Sequence, residues 1–267
     1  MFSTLGLYPS GVDRKQLDVD DPDVPNALAD FCIEMETIAT GGSVVPGQIE
    51  PALGAASSSI PDGDYRLTLD EVMQFVGDAK DCHDMEQEEA GKRVDYVFNL
   101  DPSKDGDQST AKDEALNLRR TLTDNSINHT SYPPLRAHPL SVSIETKRSG
   151  ESEQKAQLQM GVWQAAQWKL LSALAGDDLR QLPFIPGIFI HGHEWKFVAT
   201  SYRDGKTTLW TGGTFGSTET PLKTFQAIAG VRRLRAWSLE VFWPWYKTYV
   251  LKIPTTFISV PNVEPNI

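Results

Sequence analysis

The segment that most constrains this chain is HPLSVSIETKRSGES, residues 138–152, which runs directly into a long amide-rich stretch. Val142, Ile144 and Thr146 alternate with Ser143, Glu145 and Lys147, and successive side chains of a strand point to opposite faces, so the second set shares one face. A sheet face covered by a helix does not hold a carboxylate and an ammonium unless they are paired, solvated or bound to something. The following segment, ESEQKAQLQMGVWQAAQWKLLSALAG, predicts that covering helix. Leu158, Val162, Ala165 or Ala166, and Leu170 recur at helical spacing, and Gly176 can end it. Gln154, Gln157, Gln164 and Gln167 form a second stripe on the same helix.

The elements around this pair predict an α/β fold with a mixed central sheet flanked by helices. KRVDYVFNL alternates Val94, Tyr96 and Phe98 against Asp95 and Val97 and reads as a strand. Before it, Thr68 or Asp70 caps a predicted helix in TLDEVMQFVGDAKDC, with Val72, Phe75, Val76 and Ala79 on its apolar face. Residues 101–138 form a polar insertion with a helical piece around KDEALNLRRTL. LPFIPGIFIHGHEWKFVATSYRDGKTTLWTGGTF predicts two strands joined by the hairpin signal Asp204-Gly205. A long aromatic helix from Pro221 closes the core, kinked or interrupted at Pro244. Three parts result: a loosely ordered acidic leader over 1–66 with one short helix at 27–40, a domain over 67–253, and a tail over 254–267.

Charge divides the chain. Residues 1–115 carry 8 basic and 25 acidic side chains, whereas residues 116–267 carry 17 and 11. A net charge of -11 argues against a broadly basic nucleic-acid binder, yet an acidic leader beside a mildly basic body suits a nucleic-acid-facing core as well as any other enzyme. No segment has the length of about 18 apolar residues that a membrane span needs, and MFSTLGLYPSG lacks the pattern of a secretory leader. An intracellular protein of the cytoplasm or nucleus, without a membrane partner, is expected. Cys32 and Cys82 then read as reduced structural thiols, and the sequon at Asn128 carries no glycan.

Asp95 on one strand and Glu145 and Lys147 on its neighbour are expected to converge at one end of the sheet. Two carboxylates with the carbonyl of Thr146 make a hard-oxygen set suited to Mg²⁺ or Mn²⁺. Such a cation lowers the pKa of a bound water and polarises a phosphoryl oxygen, while a neighbouring ammonium offsets developing charge. His191 and His193 in HGHEW share a strand face and read either as a pair of transition-metal ligands, without an evident third, or as structural or substrate-facing residues. Arg232, Arg233 and Arg235 with Trp237, Trp243 and Trp245 read either as a basic, aromatic nucleic-acid surface or as core.

Four ordered blocks, VDYVFNL, INHTSYPPLRAHPLSVSIETKR, AQLQMGVWQAAQWKLL and LPFIPGIFIHGHEWKF, resemble the PD-(D/E)XK nuclease-like domain proteins of fungi over residues 68–252. The resemblance implies a restriction-endonuclease-like core. By position it implies Asp95, Glu145, Lys147 and Gln157 as catalytic residues, with Asp95, Glu145 and Thr146 holding the metal. A further acidic ligand would come from Glu86, Glu88 or Glu89. The implied activity is metal-dependent phosphodiester hydrolysis of nucleic acid, DNA being the expected partner. Two alternatives stand beside it: the same fold turned to a small-molecule substrate in a fungal biosynthetic pathway, and a binding protein without catalysis.

Overall fold

The computed structural model describes residues 11–41, 94–106 and 109–253, and the backbone of 82–84. Its strands are β1 (Val12–Gln16), β2 (Cys82–Asp84), β3 (Tyr96–Asn99), β4 (Leu140–Lys147), β5 (Ile185–His191), β6 (Glu194–Arg203) and β7 (Lys206–Ser217). The helices are α1 (Asn26–Ala39), α2 (Ala111–Thr121), α3 (Glu153–Ala175), α4 (Pro221–Trp237) and α5 (Trp243–Tyr249). The strands form one sheet in the order β1-β7-β6-β5-β4-β3-β2. Only β4–β5 and β1–β7 pair in parallel, so the sheet is mixed. A parallel pair needs a crossover, and α3 supplies it between β4 and β5.

Alternation sorts the two faces. Val142, Ile144, Ile188, Phe197, Trp210 and Phe215 pack with α1 and α4. The other face places Val97, Phe189, Val198 and Leu209 under Ala156, Met160 and Trp163 of α3. Glu145 and Lys147 lie on that second face, beneath the helix.

The face that α3 turns to the sheet differs from the one its apolar spacing predicts. Gln157, Gln164 and Gln167 are buried with Trp163 and Trp168, whereas Leu158, Val162, Ala165 and Leu170 are half-buried and Ala166 is exposed. The amides bond to strand carbonyls: Gln164 Nε2 donates to Pro186 O at 2.9 Å and Gln167 Nε2 to Leu140 O at 2.7 Å. The β4–β5 ladder begins only at Ser143 and Gly187. Carbonyls before that register lack a strand partner on that side, and burying them unpaired would cost about 1–3 kcal/mol each. The indoles act alike, Trp163 Nε1 donating to Ser143 Oγ at 3.1 Å and Trp168 Nε1 to Thr200 Oγ1 at 2.9 Å.

Further differences from the sequence reading follow from packing. The leader holds an ordered edge strand, because Val12 tucks beneath Gly161 and beside Leu209, and the β1 backbone pairs with β7. Helix α1 buries Leu28, Phe31, Cys32 and Met35, the expected stripe. Burial, with the Glu36 carboxylate adding to it, pushes the Cys32 thiol up to about 11, which suits an inert structural cysteine. The helix predicted from residue 68 lies outside the described residues except for Cys82, which opens β2. Three strands, rather than two, fill residues 185–217. Gly192 at φ 60° makes the first turn, and Asp204 and Gly205, both at positive φ, make the second in the manner of a type I′ hairpin. The closing helix breaks before Pro244: a π turn over Ser238–Phe242 absorbs the change, and Pro244 then falls in the first turn of α5, where its missing N–H is tolerated. Trp237, Trp243 and Trp245 are core. Arg233 pairs with Glu34 and lies over the Phe31 ring at 4.5 Å.

Helix α4 approaches β7 closely at Gly216, where a Cβ would stand 2.3 Å from Ala227 N and 2.5 Å from its Cα. Backbone cannot yield as a side chain can. Gly216→Ala is expected to lower stability by about 1–3 kcal/mol in urea denaturation. Gly213→Ala, three residues earlier with nothing within 4 Å of the added methyl, should leave the midpoint nearly unchanged.

Candidate active site

Strand β4 carries the centre of the site. Glu145 is fully buried, yet neither carboxylate oxygen is without a partner. Oε1 is paired with Lys147 Nζ, and Oε2 accepts from Gln159 Nε2 at 3.1 Å. The pairing with Lys147 is what period 2 allows, since residues i and i+2 share a face. Asp95 sits at the bend where β3 begins, its N–H donating to Ile144 O at 3.0 Å. Its Oδ2 accepts from Thr146 N at 2.7 Å and from Thr146 Oγ1 at 2.6 Å. The three strand residues Glu145, Thr146 and Lys147 thus gather both carboxylates and one ammonium at one end of the sheet.

Residues 90–243, more than half of the chain, match the family model of the PD-(D/E)XK nuclease superfamily. The chain belongs to that superfamily. A search of curated proteins and a search of solved structures each returned no match. The mixed sheet flanked by helices is consistent with a PD-(D/E)XK nuclease fold.

Within this nuclease-superfamily domain, Gln157 does not join Glu145 and Lys147. Its Nε2 donates to Glu153 Oε1 at 3.0 Å, and it lines a neighbouring groove. The amide that reaches Glu145 is Gln159, two residues later. Gln159 belongs to neither stripe that the spacing of the helix marks out. The available signal was the row Ala156, Gln159, Trp163, spaced by three and four, whose outer members are buried. Thr146 also has a side-chain role that sequence reading did not assign, holding Asp95 by a second hydrogen bond.

The histidines separate. His191 ends β5 and stacks near Phe189, ring centroids 6.0 Å apart, while the turn at Gly192 carries His193 away to Thr218 Oγ1 at 3.1 Å. Among the described residues no group of three or more His, Cys, Asp or Glu is arranged to hold a metal. Glu86, Glu88 and Glu89 lie outside the described residues. No described helix is long and apolar enough to cross a membrane. Asn128 serves the insertion, its Nδ2 donating to Leu135 O at 2.5 Å and His138 O at 2.9 Å.

Burial pushes the Glu145 carboxyl up to about 8. The hydrogen bond from Lys147 opposes this, and the Asp95 charge adds to the rise. A folded-state pKa above the ordinary value of about 4.3 means that the folded state favours the neutral acid. Its contribution to stability is therefore fully present below about pH 4 and is lost as pH rises through about 8. Glu145→Gln cannot titrate. In EDTA its melting temperature relative to wild type is expected to climb between pH 5 and pH 8.5, and a difference constant with pH would refute the raised pKa.

Proposed function

We propose that this protein hydrolyses phosphodiester bonds in nucleic acid with a divalent cation, Mg²⁺ or Mn²⁺. The observation that carries the reading is the buried Glu145–Lys147 pair, with Asp95 tied to the residue between them, in a chain of the nuclease superfamily. The donor chemistry fits a hard cation: two carboxylates and the Thr146 carbonyl offer oxygen alone. A fully buried carboxyl whose ionisation is opposed by its surroundings is also one that added positive charge would stabilise. Asp95, Glu145 and Thr146 would hold the ion, which supplies Lewis acidity at a phosphoryl oxygen and a more acidic water.

The chain's own groups have separable tasks. Lys147, an ammonium on the strand face beside Glu145, orients the attacking water by donating to its oxygen and offsets charge gathering on the phosphoryl group. The water's oxygen forms the new bond to phosphorus as the bond to the departing sugar oxygen breaks, the water giving up one proton to solvent and the departing oxygen taking one from solvent. Gln159 holds Glu145 from the helix side, and Thr146 fixes the aspartate with two hydrogen bonds. These contacts keep the carboxylates in place before substrate arrives, which is what a positioned site requires.

The test uses supercoiled plasmid and single-stranded DNA with Mg²⁺, Mn²⁺ or EDTA. Wild type is expected to cleave only with metal, and Lys147→Ala to lower the rate by about 100-fold or more. Calorimetric titration should show a divalent-metal site that Glu145→Ala removes. A folded wild type that cuts no nucleic acid with either metal, or a Lys147→Ala rate equal to wild type, overturns the reading.

A further inference from the structure

A groove of about 440 Å³ opens on the same face of the sheet as Glu145, walled by the first turns of α3 and floored by β1, β6 and β7. Its chemistry is distinctive: Arg14 and Lys196 bring positive charge, Thr214 a hydroxyl, Gln157 an amide, and Gly213 a stretch of open backbone. The pairing register connects it to the active site. Glu145 pairs with Phe189 on β5, and Phe189 with Lys196 on β6. Two strand spacings put Lys196 about 10 Å from Glu145 along a single row of the sheet.

We propose that this groove binds a phosphate and the attached nucleotide of a single nucleic-acid strand, beside the phosphate that is cut. The inference rests on the hydrolase reading and says where the neighbouring part of the strand lies: beside the first turns of α3, toward the β1 edge. Three observations carry it. A groove of 440 Å³ has the size of a small-molecule pocket and admits one nucleotide rather than a duplex. Lys196 is held there by the Glu153 carboxylate, at 3.3 and 3.4 Å, and by Glu194 at 3.5 Å. Glu153 is 39 % exposed, so it can swing aside when a phosphate takes its place on Lys196. Gln157 is buried and its Oε1 has no hydrogen-bond partner among the described residues, leaving an acceptor for a sugar hydroxyl or base amine once its neighbour Glu153 moves.

Gly213 gives a direct test, because it lines the groove and a Cβ added there meets nothing within 4 Å. The probe is a fluorescein-labelled 12-nucleotide DNA strand, followed by anisotropy in EDTA, with the matching duplex alongside. KM for strand cleavage is measured in Mg²⁺. Gly213→Ile, checked for an unchanged melting temperature, is expected to weaken strand binding at least tenfold and to raise KM while kcat is retained. Lys196→Ala should weaken binding and reduce the slope of log K against log salt by about 0.7, the value for one phosphate contact on a single strand. Glu153→Gln, which removes the competing carboxylate, should tighten binding several-fold. If wild type cleaves nucleic acid but all three variants bind the strand within twofold of it, or if only duplex is bound, the groove assignment fails and the hydrolase reading stands. If wild type neither binds nor cleaves any nucleic acid, the hydrolase reading fails and takes the groove with it. Should Gly213→Ile melt early, the opposed shifts of Lys196→Ala and Glu153→Gln decide.

Discussion

Helix α3 is held on the sheet by polar groups as well as by apolar contact, and the geometry of the site depends on that docking. Amides and indoles reach down to strand carbonyls and hydroxyls at Pro186, Leu140, Ser143 and Thr200. Hydrogen bonds are directional where apolar contact is not, so they fix the rotation of the helix about its axis as well as its height. That rotation decides which side chains face the sheet. It brings Gln159 to Glu145 and Gln157 to the groove, although only Leu158 separates them in the chain.

The buried carboxylate is the costly member of this arrangement. A lone ionised group in such a place would be strongly unfavourable, and removing either of its two partners would leave an uncompensated charge or an unpaired oxygen. Lys147 and Gln159 meet that demand from the strand and from the helix respectively. Asp95 approaches by a different route: the bend before β3 turns its carboxylate toward the backbone and hydroxyl of Thr146. An arrangement assembled from two strands and one helix is intact only when β3, β4 and α3 are all docked, which ties the site to the cooperative core.

Much of this was legible in the residues. The alternation in LSVSIETK placed Glu145 and Lys147 on one face, the hairpin at Asp204-Gly205 formed where its turn chemistry indicated, and the α1 stripe is the buried one. The α3 reading failed for an instructive reason. Apolar spacing presumes that a helix docks by hydrophobic contact, whereas here the sheet offers unpaired carbonyls, and glutamines satisfy them better than leucines could. Likewise the leader's composition predicted looseness, but one valine and a free edge on β7 suffice to order β1. Pro244 announced a break and left its position open, because a π turn upstream can take up the strain.

What the sequence determined by itself was the elements that carry the site, β3, β4 and α3, and the side on which the β4 residues lie, since both follow from local periodicity that neighbours in the chain share. What only the tertiary structure decided was which distant groups meet: Asp95 with Thr146, Gln159 with Glu145, and Lys196 with Glu153. Those meetings depend on strand register and helix rotation, quantities set by the fit of surfaces remote in sequence, and a linear pattern carries no record of them.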